Sequence, residues 1–221
     1  MKDRVRDRAD MKNSKFVEDP ELVQYINASY QELYDILVQS FEDYYTLPPL
    51  PLSIPSGQDY FDLPLDFYKL RGVDAALDNG SDFYTMSPFN FARRNRKGQS
   101  LVRLDLIQYD KNYRIVGNRL YITPPERAPG NYRIWYVPKA TTLQLDTDTL
   151  DGINGWEEYV VVDAARKCLL KEESDTAVNF LTMEKEALKK RIKDASQRRD
   201  AGMPKTITDI TLVNSDEWWK Y

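Results

Sequence analysis

The hydrophobic period changes twice along this chain, and that change limits the available folds more than any motif does. From Asp19 onward, Leu22, Ile26, Tyr30, Leu33, Leu37, Phe41 and Tyr44 recur every three to four positions. This is the stripe of an amphipathic helix of about 25 residues, roughly 38 Å long. Asp19-Pro20-Glu21 supplies its start, with Asp as N-cap, Pro at the first helical position and Glu in the first turn. Pro48, Pro49, Pro51 and Pro55 cannot continue the helix, so it is predicted to end by Tyr45–Leu47. The first dozen residues read equally as a short charged helix or a loose arm.

Between Ser56 and Asp151 the helical period gives way to short runs punctuated by Pro, Gly and Asn. Tyr60–Leu70 reads as a strand entering a short turn of helix after Pro64, and Arg71–Leu77 as a strand closed by Asp78-Asn79-Gly80. Leu101–Tyr109 alternates as a strand with one buried face, and Tyr132–Val137 is another strand. Tyr113–Val116 and Arg119–Thr123 flank Gly117-Asn118, a two-residue hairpin turn. Strands joined in this way predict an antiparallel sheet or small barrel inserted between helical segments.

The helical period returns at Trp156. Trp156, Tyr159, Val160, Asp163, Ala164, Lys167 and Cys168 share one face, and Val161, Val162, Ala165, Leu169 and Leu170 widen the apolar arc. Such a helix is buried on more than one side. After a break at Glu172–Asp175, a second helix runs to about Arg199. Val178, Leu181, Leu188, Ile192 and Ala195 face inward, and Lys185, Lys189, Lys190 and Lys193 mostly outward. The short break predicts an antiparallel helix hairpin. Beyond Ala201-Gly202-Met203-Pro204, the β-prone tail Lys205–Tyr221 ends in Trp218-Trp219-Lys220-Tyr221. It reads as an arm that adds to a neighbouring chain's sheet or docks in its groove, or equally as one that folds back on its own sheet or frays.

The expected fold class is therefore α+β: a helical bundle, an inserted antiparallel sheet or small barrel, and an extended C-terminal arm. The corresponding division is 1–47 and 152–202 for the bundle, 56–151 for the insertion and 203–221 for the arm. Hydrophobic residues make up 42% of the 221, enough to build a core. Fifteen tyrosines and four tryptophans suit surfaces that are wet in one state and covered in another.

The chain contains no histidine, which removes Ser-His-Asp and Cys-His nucleophiles, histidine proton shuttles and nearly every zinc or iron site. Asp146–Glu157 approximates a calcium loop, but Leu150 occupies a ligand position and Gly152 arrives one residue late, so a polar turn capped by Asn154 is preferred. The pairs Glu157/Glu158 and Glu172/Glu173 are neighbours on helices and do not face each other across a cleft. Cys168, the lone cysteine, reads as a buried core thiol in a protein made in a reducing compartment. No catalytic, metal or cofactor residue is assigned, and no apolar run approaches the length of a membrane span. The net charge of −4 disfavours DNA binding as the main task. Arg93, Arg94, Arg96 and Lys97 form the one dense basic run. It reads first as a solvated loop, and secondly as a contact to DNA phosphates or a neighbouring subunit. No aromatic is interleaved within it.

Several phrases resemble the head–tail adaptor (connector) proteins of tailed bacteriophages. They are Glu21-Leu22 with Tyr25–Asp35 on the first helix, Asp62–Lys69, Gly117–Pro124, and Gly155–Val161 with Lys171-Glu172-Glu173. The resemblance covers roughly residues 5–200. It implies a non-enzymatic structural virion protein, assembled in the host cytoplasm and placed in the neck. There a ring, dodecameric in that family, lies beneath the portal protein and meets a downstream tail or nozzle protein. The ring continues the channel through which genomic DNA passes without sequence recognition. In this reading Ile207, Ile210, Leu212, Val213, Trp218, Trp219 and Tyr221 occupy the place of the portal-binding arm. A tail-tube or tail-completion protein is the alternative of the same class, and a carboxylate-based cell-wall glycan hydrolase the alternative of another.

Overall fold

The computed structural model describes residues 1–12, 14–77, 82–94, 111–144, 148–150 and 155–196. The helices are α1 (Lys2–Arg8), α2 (Asp19–Ser40), α3 (Glu42–Tyr45), α4 (Glu157–Lys171) and α5 (Asp175–Ser196). Eight strands lie between α3 and α4: β1 (Leu50–Ile54), β2 (Tyr60–Asp62), β3 (Phe67–Ala76), β4 (Phe83–Thr85), β5 (Ser87–Pro88), β6 (Asn112–Val116), β7 (Arg119–Thr123) and β8 (Gly130–Pro138). The fold is α+β, with the sheets inserted into a helical bundle.

Helices α2, α4 and α5 pack around one core, to which Leu22, Leu33, Leu37, Tyr159, Val160, Leu181 and Ile192 contribute. Ion pairs fix the directions: Glu21 meets Lys171 and Glu32 meets Lys185, so α4 runs antiparallel to α2 while α5 runs parallel to it. Burial on more than one side of α4 is borne out, since every residue from Tyr159 to Ala165 is buried. The charged N-terminus is a helix and not a loose arm. Val5 is fully buried in the bundle core, Arg4 reaches Glu158 at 2.5 Å, and Arg8 pairs with Glu184.

Three expectations for the helices need correction. The first long helix does not run to Tyr45. It stops at Ser40, Phe41 leaves the helical conformation with φ −152° and ψ 76°, and α3 follows as a separate turn. Asp19 is the first helical residue, with Glu18 in the cap position, and the Asp19 carboxylate accepts from Arg6 at 2.7 Å. Lys185 points inward and Ala195 outward, because a buried carboxylate on α4 demands a cation at that level of α5.

The strands form two four-stranded sheets, ordered β1-β8-β3-β4 and β2-β7-β6-β5. All pairings are antiparallel except the short β5–β6 pair. Ile54, Val73, Ala75, Tyr132 and Ile134 from the first sheet share a core with Phe61, Leu120 and Ile122 from the second. The chain passes from β4 in one sheet to β5 in the other through Met86 alone, whose buried side chain turns the corner. The Gly117-Asn118 hairpin has the expected register, Val116 opposite Arg119, and Gly117 takes a φ of +60° at the first central position. Two local readings differ: Phe67–Lys69 is strand and not helix, and Leu50–Ile54 pairs with β8 despite Pro51, an edge position that needs no donor there. The strand expected at Leu101–Tyr109 lies outside the described residues.

The insertion meets the bundle at the C-terminal end of α2. Tyr34 Oη donates to Pro138 O at 2.8 Å, Tyr68 Oη to Asp35 at 2.7 Å, and Leu47 N to Tyr136 O at 3.0 Å. Lys69 and Arg71 pair with Glu42, and Arg71 also with Asp43.

Candidate functional site

Alternation along a strand sends successive side chains to opposite faces. In the second sheet Phe61, Leu120 and Ile122 go inward, so Tyr60, Arg114, Arg119 and Tyr121 are left on the outer face. Register then lines them up, because Arg114 lies opposite Tyr121 and Tyr121 opposite Tyr60. The Arg114 guanidinium sits 5.7 Å from the Tyr121 ring and 5.6 Å from Phe89, which follows β5. Tyr121 and Tyr60 have ring centroids 5.4 Å apart, and Arg119 covers Tyr60 at 4.4 Å while donating to Asp62 at 2.9 Å. On the other side Phe89 meets Phe91 edge-on at 6.5 Å, and Arg94 lies 4.8 Å over Phe91. A row of alternating guanidinium and aromatic groups therefore crosses the whole sheet.

Each such contact contributes about 0.5–1 kcal/mol at an exposed site. Their larger effect is to restrict the arginine side chains on the outer face. Among the described residues Arg114 has no carboxylate partner. The face is also apolar in places: Phe91 is 67% and Val116 52% exposed. A surface of Arg, Tyr and Phe with exposed aliphatics has the composition of a protein contact.

Of the basic run, Arg94 joins this row at its β5 end, and Arg93 closes the 3-10 turn Phe91–Arg93. Arg96 and Lys97 lie outside the described residues, as do Ile207, Ile210, Leu212, Val213, Trp218, Trp219 and Tyr221. The sequence reading missed Arg114, Arg119, Tyr60 and Tyr121. It also took the basic run as lacking aromatics, because Phe89 and Phe91 precede the run and are not interleaved with it. The available signal was the alternation of Arg119 and Tyr121 beside a hairpin whose turn was already fixed.

The other concentration of charge is interior. Asp163, fully buried on α4, accepts from Ser29 Oγ at 2.8 Å and pairs with Lys167 at 2.7 Å, Lys185 at 2.9 Å and Arg166 at 2.9 Å. Lys185 also reaches Glu32 at 2.8 Å, and Glu32 accepts from Tyr159 Oη at 2.7 Å. Burial pushes the Asp163 carboxyl up, but hydrogen bonds from Lys167, Lys185 and Ser29 outweigh it and hold the group well below its ordinary value. Glu32 is likewise lowered: burial raises it, and Lys185 and Tyr159 more than compensate. This network joins α2, α4 and α5.

Cys168 is buried, and desolvation raises its thiol to about 11, so it is not poised as a nucleophile. A shallow depression lined by Asp43, Arg71, Asp74, Thr85 and Trp135 has its polar groups engaged with one another: Arg71 with Asp43, and Asp74 with Trp135 Nε1 and Thr85. Glu157 and Glu158 both approach Arg4. Among the described residues no cluster of acidic or sulfur groups could hold a metal ion, and no helix is long and apolar enough to cross a membrane.

A comparison with curated proteins finds no match. Comparison with protein families matches residues 1–208 to the family described as SU10 adaptor protein, so the match covers the helical bundle, both sheets and the start of the tail. The resemblance read from the sequence is thereby borne out: the chain belongs to the SU10 adaptor proteins, a family of phage head–tail adaptors.

Proposed function

We propose that this adaptor is a structural protein of the phage neck that assembles into a ring between the portal and the tail and continues the DNA channel. Its partners in this reading are further copies of itself, the portal protein and a tail-side protein, with genomic DNA passing unread. Assembly takes place in the host cytoplasm, and twelve copies is the number implied by the connector family. Residues 1–47 and 152–202 act as one body, the β insertion as a contact module, and residues 203–221 as the arm that engages the portal.

The observation that supports this most is the outward row of arginine and aromatic groups on a member of an adaptor family. Such a surface is suited to a partner chain. The test is deletion of Lys205–Tyr221, followed by co-sedimentation with portal rings. The truncated chain should keep its urea midpoint and lose portal attachment. Unchanged attachment would refute the arm, and a full-length chain that stays monomeric beside portal rings would refute the ring.

A further inference from the structure

The insertion and the bundle carry opposite charge. Residues 50–138 hold 12 Lys and Arg against nine Asp and Glu, while the remainder of the chain holds 19 against 26. Part of the acidic excess is tied up in internal pairs, and four carboxylates gathered at one end of the bundle are not. Glu18, before α2, Glu172 and Glu173, after α4, and Asp175, opening α5, are all exposed and have no cation partner among the described residues. The Lys171–Glu21 pair brings these helix ends together. Lys15 lies on the same end, and Lys171 is already held by Glu21. Glu172 and Glu173 also follow a helix C-terminus, where the backbone dipole favours cations, so they gain little from their own chain.

The acidic end and the β insertion sit at opposite ends of α2, a helix roughly 33 Å long, so they cannot neutralise each other within one molecule. The geometry points to a contact between copies, in which the outer face of the second sheet, centred on Arg114, docks against the Glu172–Glu173 end of the next copy's bundle. A second copy fits this face better than duplex DNA does. Stacked bases in a duplex offer nothing to Phe91 and Tyr121, and exposed Val116 and Phe91 are unfavourable against phosphates. The contact uses two different patches, so it is heterologous and closes a ring when the rotation between copies divides a full turn. It rests on the ring reading above and names the surfaces that reading requires.

The test is a charge exchange on the full chain, followed by sedimentation velocity in low salt across a concentration range. Arg114→Glu alone and the double variant Glu172→Lys with Glu173→Lys should each lose association by about tenfold or more. Mixed in equal amounts they should recover it, because the two changes then complement each other. Both sites are exposed, and unchanged urea midpoints would confirm folding; Arg94→Glu on the adjoining Phe91 ring gives an independent reading of the same face. Variants that associate like the wild type, or that fail to recover on mixing, overturn the contact and leave the ring reading standing. A wild-type chain that is monomeric at every concentration overturns both. If Arg114→Glu abolishes duplex DNA retention while association is unchanged, the face belongs to nucleic acid and the contact is overturned.

Discussion

The buried network around Asp163 and the outer row around Arg114 use similar side chains in opposite ways. In the bundle, Asp163 draws Lys167, Lys185 and Arg166 inward, and Glu32 and Ser29 complete their hydrogen bonds. On the second sheet Arg114 lies against two rings and has no carboxylate partner among the described residues. The first arrangement ties three helices together at one level, through Ser29 on α2, Asp163 on α4 and Lys185 on α5. The second adds little to folding and presents a rigid surface. A cation that is paired inside the chain specifies the fold, and one that is oriented but unpaired is available to a neighbour.

That contrast breaks most sharply at Asp163. Asp163→Asn leaves Lys185 with Glu32 and Lys167 with Ser29 Oγ, removes the buried negative charge between them, and should lower stability by about 3–5 kcal/mol, read as a shift in the urea midpoint. Acid should narrow the difference. The folded pKa lies below the ordinary 3.8, so the unfolded chain takes up the proton first, and the contribution of Asp163 is complete above that value and lost progressively below it. The midpoints of wild type and Asp163→Asn should therefore converge as pH falls below 3.8.

Lys185→Met comes next. Asp163 keeps three partners, whereas Glu32 keeps only Tyr159, and a loss of about 1.5–3 kcal/mol should appear in the same measurement. Tyr34→Phe removes one hydrogen bond between bundle and insertion and should cost about 1 kcal/mol. Arg114→Ala should be the smallest, below about 1 kcal/mol, because its two ring contacts, at 5.6 and 5.7 Å, lie near the outer limit of the attraction on an exposed face. A large loss there would mean that the row is an internal support and the contrast fails.

Elements with a strong period were legible in the sequence. The stripe from Leu22 to Leu37, the apolar arc of α4 and the Gly117-Asn118 hairpin all appear where periodicity and turn chemistry put them. Helix ends were less so, because the break at Phe41 depends on where the first sheet packs, with Leu47 held by Tyr136 across the chain. Lys185 was misplaced for a related reason. On α5 alone it belongs to a run of lysines, and only the partner on α4 draws it inward. The signal was there in Asp163, a carboxylate on an apolar face that required a cation from another helix. The Arg–aromatic row was hidden because its members come from four separate segments, which only the sheet order brings into line.

The insertion leaves and rejoins the helices at nearly one place. Leu47 is tied to Tyr136, and Tyr34 Oη bonds Pro138 O at 2.8 Å. The β structure therefore behaves as a cartridge plugged into a single socket. Its loops and outer residues can be lengthened, shortened or exchanged to suit a different neighbour without repacking the helices that carry it. A lineage of such proteins has a direct route to new attachments while its helical frame stays the same.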